Sequence, residues 1–165
     1  MDLLSRAEAA FGSRDAAKKI FQPVFNDTGP YLINTPTFDG AFAALSRNAA
    51  GYWPTVIYEM AHETIHLLDP IPGYATWIEE GAAVAFSVLL SRTLTDHPMT
   101  PPQNSAYQEA LSLVERLPLP TLTSLRAVRH LAGRFSSVTD AHLTSLFPTL
   151  ELAIIEKLVE ECMPR

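Results

Sequence analysis

Apolar residues recur at steps of three and four through Trp53, Ile57, Ala61, Ile65 and Leu68, the spacing that gathers side chains on one face of an α-helix. The helix predicted there runs from Pro54 to Leu68. Pro54 suits a first turn, where its missing N–H would have no partner. Asp69-Pro70 stops the helix, because the residue before a proline is disfavoured in the α region. After a Pro/Gly-rich turn (Pro70-Ile71-Pro72-Gly73), a second run from Thr76 to about Leu94 is apolar on most of its surface and reads as a buried helix. Asp96 to Gln103, with Pro98, Pro101 and Pro102, reads as a loop. Beyond it, Ser105–Leu117, Pro120–Leu131, Thr139–Phe147 and Leu150–Glu161 carry amphipathic patterns punctuated by Ser and Asp starts and Pro breaks. They predict a C-terminal helical bundle.

The N-terminal third is patterned differently. Residues 2–11 and 13–21 suggest short helices, with Gly12 between them and Ser13 as cap of the second. Val24-Phe25 and Tyr31-Leu32-Ile33-Asn34 flank the turn Asn26-Asp27-Thr28-Gly29 and predict a β-hairpin. Residues 38–47, with Phe38, Phe42 and Leu45, read as a helix or an irregular segment. The fold class expected is mainly α (α+β), as one domain over residues 1–165 with a small N-terminal β element. A chain of 165 residues that is 47% hydrophobic can bury a proper core.

Charge narrows the partners. Twelve basic residues against 18 acidic ones give a net charge of −6, which makes nucleic acid an unexpected partner. The longest apolar run, Ala82 to Phe86 and on past Ser87 to Leu90, is too short to span a bilayer. Met1-Asp2-Leu3-Leu4-Ser5-Arg6 has no basic region leading into an apolar stretch, so the expected location is cytoplasmic, with no membrane partner. The single cysteine, Cys162, precludes an intrachain disulfide and stands in no nucleophile motif.

The chemistry sits in the first long helix. His62-Glu63-Thr64-Ile65-His66 is an HExxH arrangement. Residues i and i+4 stack on one helix face, so both imidazoles can reach one metal ion. Glu63 projects about a hundred degrees round from His62, beside the metal and able to act as general base on a bound water. Tetrahedral catalytic zinc takes three protein ligands and leaves one position for water. Glu79 and Glu80, near the first turns of the apolar second helix, are the carboxylates for that role, because acids there require a partner. Asp69 falls three residues after His66, but a metzincin arrangement wants a Gly there and a His or Asp where Pro72 stands. Asp69 and Glu59 are instead candidates for orienting an imidazole.

Trp77-Ile78-Glu79-Glu80-Gly81-Ala82-Ala83, downstream of the HExxH helix, resembles the W-x-x-E-G-x-A segment of the gluzincin metallopeptidases. The likeness covers residues 54–92. It implies a compact zincin-like domain, Zn2+ held by His62, His66 and Glu80, and hydrolysis of a peptide or protein substrate with Glu63 as general base. It also implies an edge strand above the cleft, for which Tyr31–Asn34 is the candidate, and a Tyr or His oxyanion donor downstream, from His97, Tyr107, His130 and His142, with Tyr74 a further candidate. Val84 departs from the pattern, since some families carry an Asp there that orients the first histidine. The competing expectation is a zincin-like scaffold that binds metal for recognition or assembly without proteolysis.

Overall fold

A computed structural model describes residues 2–163. Helix α1 (Leu3–Phe11) is capped by the Asp2 side chain, which accepts from the Ser5 N–H at 3.0 Å, and buries Leu3, Ala7 and Phe11. Strands β1 (Lys19–Ile20), β2 (Val24–Asn26), β3 (Tyr31–Asn34) and β4 (Gly40–Ser46) follow. Then come α2 (Trp53–His66), α3 (Trp77–Leu94), α4 (Ala106–Glu115), α5 (Thr121–Ala132), α6 (Asp140–Leu146) and α7 (Leu152–Val159). The mainly α, α+β class holds. No helix among the described residues is long and apolar enough to cross a membrane.

The sheet departs from the sequence reading in three places. Residues 38–47 contain β4, the central strand, instead of a helix or irregular segment. Ala41, Ala43 and Leu45, at the alternate spacing of a strand, are buried in one cluster with Leu67, and Val56 and Met60 of α2 pack against it. Tertiary packing overrides the helical preference of alanine. Gly40 is required by close approach, because a Cβ there would lie 2.5 Å from the Lys19 carbonyl oxygen. Residues 13–21 do not form a second helix. Arg14 donates to the carbonyls of Asp15 and Lys18, and Asp15 Oδ1 accepts from the Ala17 N–H, a turn that ends as Lys19–Ile20 pairs parallel with β4. β2 and β3 are not a hairpin pair. β2 runs parallel along β4 and β3 antiparallel to it, while Asn26 Oδ1 accepts from the N–H groups of Thr28 and Gly29 in the connecting turn.

The other predicted helices match. α2 and α3 begin and end within two residues of their expected bounds, the ordinary scatter of helix ends. α3 is buried nearly all round and forms the axis of the core, with α2 on one side and the C-terminal helices on the other. Phe86 on α3 meets the edge of Phe11 on α1, at 5.8 Å between ring centroids. Gly81 lets α4 approach, since a Cβ at that position would lie 2.6 Å from the Ala110 carbonyl oxygen and nearer still to Val114.

Asp69, a candidate for orienting a metal histidine, pairs with Arg129 of α5 at 2.7 Å. The buried Arg129 guanidinium also donates to the carbonyls of Phe11 and Ser13, so it ties together α1, α5 and the exit of α2. Removing one partner of a buried pair strands the other charge and costs about 3–5 kcal/mol. Arg129→Ala is therefore expected to lower unfolding free energy by that order in urea titrations. Arg116→Ala, which breaks the exposed pair to Glu151, should change it by less than about 1 kcal/mol.

Candidate metal centre

One turn of α2 separates His62 from His66, and their Nε2 atoms converge to 3.3 Å. α3 crosses against this face and delivers Glu80, whose Oε2 lies 3.2 Å from His62 Nε2 and whose Oε1 lies 3.6 Å from His66 Nε2. Bonds of about 2.0–2.1 Å at tetrahedral angles hold ligand atoms about 3.3 Å apart. The observed separations therefore fit a single small divalent ion, and one ligand atom from each of the three residues lies within 4.8 Å of the others. The buried His62–His66–Glu80 group can hold a metal ion.

The charge balance around these donors also suits a cation. Glu63 is 2% exposed, and Glu79 and Glu80 are also buried. Oε2 of Glu63 and of Glu79 makes no hydrogen bond among the described residues, while Glu80 Oε2 faces His62 Nε2. Two carboxylates with unpartnered oxygens, beside Glu80 at the imidazoles, concentrate negative charge that a bound cation would offset. Burial pushes the Glu63 carboxyl above its usual range, Glu80 and Glu59 add to the rise, and His62 and His66 oppose it. For His66, burial alone would disfavour the charged ring. The hydrogen bond to Glu79 and the charges of Glu80, Glu79 and Glu63 outweigh it and carry the imidazole up to about 10. Burial likewise raises Glu80, but the approach of His62 and the charge of His66 take it below the usual carboxylate value.

The two acids at the start of α3 divide their roles. Glu80 faces both Nε2 atoms, while Glu79 Oε1 accepts from His66 Nδ1 at 2.9 Å. Glu79, the alternative ligand in the sequence, is thus bonded to the far side of the ring. Glu59 does not orient a histidine. Its carboxylate accepts from the N–H and hydroxyl of Ser46 and fastens α2 to the end of β4. Among the described residues, no hydrogen bond reaches His62 Nδ1, in keeping with Val84 in place of an acid.

The centre lies in the floor of a cleft of about 320 Å³. β3 supplies one wall through Tyr31, Leu32 and Asn34, and the connection between α2 and α3 supplies the other through Ile71 and Tyr74. Asn34 Nδ2 donates to the Ile71 carbonyl at 3.0 Å and joins the two walls. Of the five donor candidates, Tyr107 and Tyr74 line the cleft. Tyr107 sets its ring against that of His62, with centroids 5.3 Å apart. Burial and the charges of Glu80 and Glu63 raise its hydroxyl to about 12, so it stays protonated as a donor. His97 is bonded to the Tyr52 hydroxyl, and His142 completes the cap of α6. Neither these nor His130 line the cleft. Cys162 does, but burial and nearby Glu80 push its thiol up to about 12, and it remains protonated.

The bond from Glu79 to His66 was not readable in the sequence beyond the adjacency of Glu79 to Glu80. A binding test follows from the geometry. Zinc at about a hundred times its Kd should stabilise the chain by about 2.7 kcal/mol, seen as a raised unfolding midpoint. Glu80→Ala should lose most of that rise.

No protein-family model, no curated protein and no solved structure matches this chain, so the metal centre is assigned on its own geometry.

Proposed function

We propose that this chain is a zinc-dependent metallopeptidase of gluzincin type, built as a compact zincin-like domain and acting on a peptide or protein substrate. The observation that carries the reading is the convergence of His62, His66 and Glu80, with one ligand atom from each within 4.8 Å of the others, and the buried Glu63 carboxylate on the same helix turn. A metal-binding module needs the ligands alone; a buried carboxylate next to them, with one oxygen free of any partner among the described residues, is what hydrolysis needs.

Zinc at such a centre supplies a water of lowered pKa and a Lewis acid for the scissile carbonyl. Glu63 acts as general base: its carboxylate takes the proton of the attacking water and hands it to the departing amine. Tyr107, held as a neutral hydroxyl at the edge of His62, is the donor that steadies the developing oxyanion.

Among the described residues β3 pairs only with β4, along one edge, and its other edge can take an extended substrate by main-chain hydrogen bonds. The cleft contains no Lys or Arg among its described lining residues. A terminal carboxylate would find no cationic partner there, which favours endopeptidase or aminopeptidase action over carboxypeptidase action.

Glu63→Gln preserves shape and removes the base. The variant is expected to keep zinc affinity and to lose about 10²–10⁴-fold in turnover of a mixed fluorogenic peptide pool. If the unaltered chain binds zinc and hydrolyses no better than Glu63→Gln, the peptidase reading falls and the non-proteolytic recognition module takes its place.

A further inference from the structure

Thr76-Trp77-Ile78-Glu79 opens α3 with the form of a capping box. In that motif the Thr hydroxyl accepts from the N–H three residues on, and the Glu carboxylate reaches back to the Thr N–H. Thr76 occupies the N-cap position in the extended backbone the motif requires, with φ −80° and ψ 163°, yet its side chain makes no capping bond. Its buried Oγ1 has no partner among the described residues. Glu79 has turned away from the cap towards His66 Nδ1, 2.9 Å from its Oε1. The same chain completes a capping box elsewhere: at α6, Thr139 and His142 form both reciprocal bonds. A helix start that has the sequence for a cap and leaves it unmade breaks a local rule, and such breaks are expected where function competes for the side chain.

We infer that Glu79 is a positioning residue of the metal centre, diverted from capping α3 to hold the His66 ring. This rests on the metal centre itself and not on peptidase activity. Glu79 and Glu80 are consecutive on one rigid helix and take opposite sides of the same imidazole. Glu79 holds Nδ1, and Glu80 Oε1 lies 3.6 Å from Nε2. The Nδ1–H bond fixes the tautomer that leaves Nε2 free to ligate and points it towards His62 and Glu80. His62 has no such bond among the described residues and meets the Tyr107 ring instead, so Glu79 is the side chain that fixes an imidazole by hydrogen bonding.

The test uses zinc alone as probe. Zinc affinity is measured by competition with a chromophoric chelator, and urea unfolding is followed on metal-free protein, for the parent chain, Glu79→Ala, Glu79→Gln, Thr76→Ala and the Thr76/Glu79 double alanine variant. Glu79→Ala should bind zinc about 10–100-fold more weakly. Glu79→Gln, whose amide oxygen can still accept from Nδ1–H, should lose less, and Thr76→Ala should match the parent. The two alanine substitutions should add in metal-free unfolding, since the side chains do not act together. Parent-like zinc affinity in Glu79→Ala overturns the assignment, as does marked non-additivity with Thr76→Ala, the sign of a working cap. Should Glu79→Ala not fold, Glu79→Gln decides: weaker zinc binding than in Thr76→Ala supports the role, and equal binding overturns it. A parent chain that takes up no zinc removes the metal centre itself, a separate failure read in the first titration.

Discussion

Charge buried where α2 crosses α3 is the constraint that organises this molecule. His62 and His66 from one helix and Glu79 and Glu80 from the other meet with Glu63 in a space that excludes most water. Carboxylates in such surroundings are tolerated only with cationic partners and good geometry. Glu79 and Glu80 are the charged residues α3 buries, so they are the exception its packing must accommodate. Much of the remaining fold holds this crossing in register. Gly81 admits α4, which brings Tyr107 against the His62 ring. The small side chains of β4 seat beside α2, and Ser46 at its end grips Glu59. The segment after α7 clamps the start of α3 through Trp77 N–H to the Glu160 carbonyl and Cys162 N–H to the Ala75 carbonyl.

How much was legible in the sequence follows from the range of the interactions concerned. α2 and α3 were readable because helix periodicity and proline stops are local. His62, His66 and Glu80 were readable because imidazoles at i and i+4 share a helix face, and a carboxylate in an apolar run is costly to bury without a partner. Strand β4 was not, because Gly40-Ala41-Phe42-Ala43-Ala44-Leu45 has no local preference strong enough to mark a strand. Its state is set by β1, β2 and β3 pairing along both edges and by α2 packing on one face. Residues 13–21 failed for a related reason: Arg14 and Asp15 satisfy the backbone of a turn through side chains that the periodicity does not register.

The same distinction separates the residues around the centre. Asp69, close in sequence to His66, answers Arg129 sixty residues away. Glu79, which has the local sequence of a helix cap, answers a histidine on another helix. Both reveal themselves only when the chain is folded, and both depart from a local expectation because a buried charge outranks it. Tyr107 was one of several equivalent aromatic and imidazole candidates until the approach of α4 placed it in the cleft and left His97, His130 and His142 outside.

The most direct test of the central claim is X-ray absorption at the zinc edge on the purified chain after equilibration with one equivalent of zinc. The account predicts one zinc per chain with two imidazole nitrogens at about 2.0–2.1 Å and a remaining shell of oxygen at about 2.0–2.2 Å. A spectrum without imidazole scattering, or a chain that retains no zinc after dialysis, would contradict it.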